Sequence, residues 1–205
     1  TTGTSEQRPS AVTPDGTRLV FAEDGSTELF SPQDLAVMPL DGDRQAMRLV
    51  ETMFAERNGE ISPDGRWLAY ESDESGSFQI YVRPFPAVDT GRWQVSTGGG
   101  RQPLWTRNGQ ELFYWGPEGA LMAVPVDAAA DSAGFTAGAP ATVIPAGYYT
   151  ADDSVNLGRT YDVSPDGERF LMIRQGGGTD QADAPANLVV VQNWLEELKR
   201  LVPTK

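Results

Sequence analysis

Short apolar runs separated by polar turns recur along the whole chain and form a fourfold repeat. A Ser or Thr opens a tight turn at positions 13, 62, 106 and 164, and an alternating apolar strand follows each turn. The four copies read AVTPDGTRLVF from Ala11, EISPDGRWLAY from Glu60, LWTRNGQELFYW from Leu104 and YDVSPDGERFLMI from Tyr161. The turns are 49, 44 and 58 residues apart. Spacings of this size predict one four-stranded blade per repeat, as in a β-propeller.

The pattern predicts an all-β chain, with four recognisable four-stranded blades and a short C-terminal helix. The blades cover about 8–51, 57–96, 101–144 and 159–192, and apolar residues at helical spacing place the helix over 193–202. Inner strands are predicted at 9–12, 60–61, 103–105 and 161–163, and the third strand of blade four at 187–192. The opening residues 1–8 look like the end of a junction between blades. The whole of 1–205 is therefore predicted to be a segment of a larger, six-bladed-type ring.

The residues of the four turns are ones that stabilise tight turns. Pro, Asp and Gly in the order Pro-Asp-Gly suit a tight hairpin turn, in which the Asp accepts local hydrogen bonds. We therefore predict that Asp15, Asp64 and Asp166 are structural rather than catalytic. In the third repeat Arg107-Asn108 replaces Pro-Asp, and Asn tolerates the same turn.

Composition removes several classes of function. The chain has no Cys and no His, so disulfides, thiolate metal sites, Cys nucleophiles and the usual His base are excluded. A net charge of −13 argues against binding to nucleic acid. No apolar run is long enough to cross a bilayer, so no membrane insertion by this segment is predicted.

Carboxylates are abundant, but their spacing does not predict a metal site. Asp152 and Asp153 lie beside Tyr148 and Tyr149, yet the alternating ligands of a calcium loop are absent from the sequence. We interpret them as solvated loop charge and predict no metal, no cofactor and no enzymatic turnover by this chain. Turnover that is lost on mutating one buried carboxylate would contradict this prediction.

One repeated residue points to a different role. Five positions before each turn Ser or Thr the chain has an arginine: Arg8, Arg57, Arg101 and Arg159. Only 14 of the 205 residues are Arg, so the repeat itself specifies this position. The arginines could clasp neighbouring blades through carboxylates or carbonyls, or they could bind an anionic partner at the mouth of the central channel.

The topology of a meander places these arginines on one rim of the propeller. The start of an inner strand shares its rim with the loop between the second and third strands and with the links between blades. We predict a recognition surface there, formed by Arg8, Arg57, Arg101, Arg159, Tyr148, Tyr149, Asp152 and Asp153. An acidic group of a protein or peptide partner would suit the arginines.

The repeat resembles that of TolB-like and Tricorn-like β-propellers: an (S/T)PDG turn, then Arg-x-apolar-x-aromatic, then a strand such as IYVRPF. The segments GGGRQPLWTRNGQELFYW and NWLEELKRLVP are similar to the C-terminal propeller of bacterial transmembrane Ser/Thr protein kinases. The kinase motifs themselves are absent from this sequence.

This resemblance implies a noncatalytic interaction or sensor module, the extracytoplasmic (periplasmic or cell-surface) part of a kinase-like receptor. Two alternatives remain open: the gating propeller of a serine peptidase, and a carboxylate- or calcium-dependent propeller hydrolase. Blade four lacks an outer strand in this sequence, so we also expect self-association through open blade edges.

Overall fold

The computed structural model describes residues 6–24, 33–127, 134–151 and 158–173. These residues form an all-β structure whose only helical segments are two single 3₁₀ turns, Val88–Thr90 and Pro117–Gly119. The strands are β1 Gln7–Val12, β2 Arg18–Asp24, β3 Gln33–Pro39, β4 Met47–Val50, β5 Glu56–Ile61, β6 Trp67–Ser72, β7 Gln79–Pro84, β8 Trp93–Gln94, β9 Arg101–Trp105, β10 Glu111–Trp115, β11 Leu121–Asp127, β12 Thr136–Ala137, β13 Ala141–Ile144, β14 Tyr161–Val163 and β15 Phe170–Met172.

The strands form antiparallel meanders, one for each predicted blade. Blade one has the order β1-β2-β3-β4 and blade two β5-β6-β7-β8. Blade three has β9-β10-β11, with β12 and β13 both pairing with β11. Blade four contains β14 and β15 in the described part of the chain, where the four sheets do not close a ring. The third strand predicted at 187–192 and the helix predicted at 193–202 lie outside the described residues.

The inner strands begin earlier than the sequence pattern predicted. β1, β5 and β9 start at Gln7, Glu56 and Arg101, because a β-bulge in each strand lets pairing continue past an irregular residue. Asn58 and Gln102, which directly follow Arg57 and Arg101, have a left-handed φ of 52°. Alternation of apolar and polar residues does not reveal such a bulge.

Each turn is held by its own side chains, as predicted. In the first repeat the Thr13 hydroxyl donates to Asp15 Oδ1 at 2.6 Å, and the backbone N–H of Thr17 donates to the same oxygen at 3.0 Å. The Thr13 hydrogen bond is the main reason why the pKa of Asp15 lies below its ordinary value. Asn108 accepts the equivalent bonds from Thr106 at 2.7 Å and Gln110 at 3.0 Å. Asp64 and Asp166 accept equivalent bonds, so the prediction that these side chains accept local hydrogen bonds in their turns is confirmed.

The hydrophobic core lies between consecutive blades. Leu35 and Val50 of blade one pack in one cluster with Leu68 and Tyr70 of blade two. Between blades two and three, Phe135 lies 5.3 Å from Trp67 and 6.3 Å from Trp105, measured between ring centroids. Between blades three and four, Trp115 and Tyr161 meet edge to face at 5.2 Å. Large aromatic side chains therefore join the blades, which is why Trp67, Trp105 and Trp115 are buried. No helix in the described ranges is long and apolar enough to cross a membrane.

Candidate binding rim at the channel mouth

The first residues of the four inner strands converge on a cavity of about 280 Å³. Each blade contributes two lining residues: Pro9 and Ser10, Asn58 and Glu60, Gln102 and Pro103, Gly158 and Arg159. The left-handed residues Asn58 and Gln102 are among them, so the bulges shape this wall. We call the edge of the propeller around this cavity the arginine rim, because all four repeated arginines begin or precede the inner strands here.

The long link between blades three and four also lies at the arginine rim. The Gln102 side chain donates a hydrogen bond to the carbonyl of Thr150 at 3.2 Å, so the residue after Arg101 contacts the residue after Tyr149. Tyr148 is exposed and Tyr149 is half-buried. Asp152 and Asp153, which were predicted to belong to the same surface, lie outside the described residues.

Arg57 forms the most buried ion pair of the rim. Its Nε donates to Glu71 Oε1 at 2.5 Å, and its guanidinium lies 3.9 Å above the Phe78 ring. The Glu71 residue is only 1 % exposed. Because Arg57 and Glu71 are cross-strand partners on β5 and β6, this pair lies inside blade two.

The other three arginines have different environments, although the repeat places them equivalently. Arg8 is opposite Ala22 rather than an acid, and it forms ion pairs with Glu6 at 2.6 Å and Asp24 at 3.4 Å. Arg101 lies 5.3 Å from the centre of the Phe78 ring in blade two.

Arg159 reaches a residue of blade two at the cavity. It pairs with Glu60 of blade two at 3.1 Å and donates to the carbonyl of Tyr161 at 3.2 Å. Two of the four arginines, Arg101 and Arg159, therefore contact another blade, and the other two contact acids of their own blade.

A relay of buried hydrogen bonds joins blades two, three and four behind the rim. The second oxygen of Glu71 accepts the backbone N–H of Gln102 at 2.6 Å. The Gln102 side-chain oxygen accepts from the backbone and hydroxyl of Thr160, at 2.8 and 3.0 Å. The Gln102 carbonyl accepts from the Tyr161 hydroxyl at 2.8 Å, and the Trp115 indole donates to Thr160 at 3.0 Å. We call this set the blade relay.

The sequence analysis missed the blade relay, although it carried one signal. Glu71 lies nine residues after its turn Ser, where the other repeats have Ala22, Trp115 and Ile173. An acid at a position that is apolar elsewhere indicates a specific buried partner, because an unpaired buried carboxylate is costly.

A second buried acidic group lies where blade one meets blade two. Glu56 is 1 % exposed, and its Oε1 accepts from the hydroxyls of Thr52 at 2.6 Å and Ser72 at 3.3 Å. Glu56 Oε2 and Asp34 Oδ1 are buried without a hydrogen-bond partner among the described residues. Burial is the main cause that raises the pKa of Glu56 to about 7, and the nearby Asp34 adds to it.

The described residues contain no group of three or more His, Cys, Asp or Glu that could hold a metal ion. The arrangement of the rim is instead suited to polar recognition. It combines guanidinium groups, exposed tyrosine and a small cavity whose wall includes an ion pair.

Comparison with known proteins places the fold but not the activity. No protein-family model matches the chain, and a search of curated proteins gives no significant match. Among solved structures, TolB from Acinetobacter baumannii is similar with 19 % identity and a TM-score of 0.53, over 84 % of this chain and 38 % of that one. A putative TolB from Agrobacterium tumefaciens has 17 % identity and a TM-score of 0.48, over 67 % of this chain and 50 % of that one.

A third similar structure is the β-propeller domain of the Trilobed protease from Pyrococcus furiosus, with 13 % identity and a TM-score of 0.43, over 58 % of this chain and 38 % of that one. The chain thus spans half or less of each of these proteins. At these identities the likeness concerns the fold alone, and the fold is a TolB-like β-propeller.

The two intra-blade arginines provide a matched test of burial. We expect Arg57→Met to lower the free energy of unfolding by about 3–5 kcal/mol, because the buried Glu71 carboxylate then has one oxygen without a hydrogen-bond donor. Arg8→Met should cost less than about 1 kcal/mol, since its ion pairs are partly exposed. Urea unfolding at pH 7 measures both. Equal losses for the two variants would show that the burial of Glu71 does not set the cost.

Proposed function

We propose that this propeller is a noncatalytic module that binds a protein or peptide partner at the arginine rim. The observation that carries the proposal is the cavity at the arginine rim, which three inner strands and the two residues Gly158 and Arg159 line and which contains the Glu60–Arg159 ion pair. Rigid strands that present loops and polar groups around one opening are a common basis for recognition. By resemblance, the module would be the extracytoplasmic sensor part of a kinase-like receptor.

The ion pair supports recognition of an acidic group. The side chains of Arg159 and Glu60 are 27 % and 19 % exposed, so a partner can reach both. A carboxylate of the partner would replace Glu60 as the ion-pair partner of Arg159 and could form a bidentate pair with the planar guanidinium. The Glu60 carboxylate would then return to water or pair with a cation of the partner. Arg159 keeps an anionic partner throughout this exchange, and a cation of the partner would offset the cost of leaving the partly buried Glu60 unpaired.

The surroundings of the cavity favour a protein partner over other anions. Arg101 on Phe78 and the exposed Tyr148 offer a cationic and an aromatic contact at the same rim. The net charge of −13 repels polyanions such as nucleic acid, whereas a peptide with one acidic group needs only one local cation, such as Arg159.

Selection from a library of random octapeptides with free C-terminal carboxylates tests this proposal. We expect enriched peptides that carry an acidic group and that bind Arg159→Gln at least tenfold more weakly, the order expected for one lost charged hydrogen-bonding contact. Arg107→Gln is the matched control, because Arg107 is exposed on the opposite, turn-bearing rim, and it should leave binding unchanged. Failure to enrich any peptide, or equal binding by both variants, would contradict the proposal.

We also propose that the chain self-associates through blade four. The sequence predicts three strands and no outer strand for that blade, and in the described residues Leu171 of β15 is 74 % exposed. A strand edge of this kind can accept a strand from a second copy. Sedimentation velocity at high protein concentration should then show dimers that Leu171→Lys reduces, whereas a monomer at every concentration would refute this idea.

A further inference from the structure

Two buried carboxyl groups from neighbouring blades share a shortage of hydrogen-bond donors. Glu56 begins the inner strand of blade two, and Asp34 lies on β3 of blade one. They are 1 % and 4 % exposed, and each has one oxygen without a partner among the described residues. A buried acceptor without a donor is costly, and the cost is higher when the group is charged.

Asp34 has a cationic partner through its other oxygen, whereas the ion pairs of this region in the described residues do not include Glu56. Arg48 pairs with Asp34 at 2.9 Å and with Glu23 at 3.4 Å. Arg92 forms an ion pair with Glu74, and Arg57 pairs with Glu71.

The groups that act on Glu56 from the neighbouring elements therefore add negative charge. Asp34 on β3 and Glu74 in the turn after β6 both disfavour its ionised form. Thr52 in the link and Ser72 on β6 offer only neutral hydroxyls, and both bind the other oxygen of Glu56.

The link between blades one and two is hydrogen-bonded to acidic side chains, one of which is Glu56. Thr52 donates its hydroxyl to Glu56, and the same hydroxyl accepts the backbone N–H of Phe54 at 3.0 Å. The next N–H, of Ala55, donates to Asp73 at 2.9 Å. A change of charge on Glu56 is thus one hydrogen bond away from the backbone that connects blade one to blade two.

We propose that Glu56 is a proton-operated latch between blades one and two at the arginine rim. When Glu56 is protonated, its buried carboxyl group is neutral, so it does not repel Asp34 and the junction stays closed. When Glu56 loses that proton to water, two buried carboxylates repel each other and the link at 52–55 loosens. The latch does not depend on the proposed peptide binding.

The direction of the pH dependence follows from the pKa of Glu56, which is raised from the ordinary 4.5 to about 7. A raised carboxyl pKa favours the folded state fully only below about 4.5, and this contribution is lost as the pH rises through about 7. Between pH 6 and 8 the folding equilibrium constant should therefore fall about tenfold. The chain has no His or Cys, and burial also raises the pKa values of the Glu60 and Asp34 carboxyls, so the comparison with Glu56→Gln is what assigns the change to Glu56.

Thermal and urea unfolding of the full chain at pH 6, 7 and 8 tests the latch with a matched control. Glu56→Gln should abolish the tenfold loss, because the amide cannot ionise. Glu71→Gln replaces an equally buried acid whose two oxygens are satisfied, and it should lower stability by a similar amount at all three pH values. Hydrogen exchange of Phe54 and Ala55, corrected for intrinsic rates, should accelerate at pH 8 in the parent chain but not in Glu56→Gln.

Several outcomes would overturn the latch. Parallel pH profiles for the parent chain and Glu56→Gln would show that Glu56 does not titrate in this window. Stabilisation by millimolar Ca²⁺ that Glu56→Gln abolishes would identify a cation site instead. If Glu56→Gln fails to fold, Asp34→Asn serves as the second variant. Asp34→Asn removes the neighbouring charge and should move the pH midpoint downward. An unchanged midpoint would refute the electrostatic effect of Asp34 on Glu56.

Discussion

The Glu71 carboxylate is the constraint on which the geometry of the arginine rim depends. It is buried in blade two and accepts one hydrogen bond from Arg57 and one from the backbone of Gln102 in blade three. A buried carboxylate needs both partners, because its desolvation is offset only when its oxygens are satisfied. The requirement fixes Gln102 in the left-handed conformation at the bulge of β9, and from there Gln102 binds Thr160 of blade four. Three blades are therefore positioned by one acid.

The polar contacts and the hydrophobic core have separate tasks. Aromatic packing between blades, as between Trp115 and Tyr161, stabilises the contact mainly by burying apolar surface, and this stabilisation depends little on the angle between the blades. Hydrogen bonds of the blade relay add direction, so they determine how the inner strands meet around the cavity. Among the residues that the structure describes, the junction of blades one and two has no comparable relay. There Asp34 and Glu56 each keep one buried oxygen without a hydrogen-bond partner among the described residues, and this is the junction at which we propose the proton-operated latch.

The sequence allowed the repeating part of the structure to be predicted and concealed the exceptions. Turn residues such as Asp15 and Gly16 make their hydrogen bonds within the turn itself, so the local sequence predicts the hairpins and most strand ends. The repeated arginine also follows from the pattern, but its partner does not, because that partner lies on another strand or another blade. Arg57 meets an acid, Arg8 is opposite Ala22, and Arg159 reaches Glu60 of blade two. Cross-strand register and bulges decide these contacts, and neither is encoded in a short stretch of sequence.

A double-mutant cycle between Glu71 and Thr160 tests the blade relay most directly. These residues make no hydrogen bond to each other, and both are joined through Gln102. If the relay couples the blades, the free-energy losses of Glu71→Gln and Thr160→Val will be non-additive by at least about 0.5 kcal/mol in urea unfolding. Losses that add to within about 0.3 kcal/mol would contradict the account, because they would show that blades two and four respond independently.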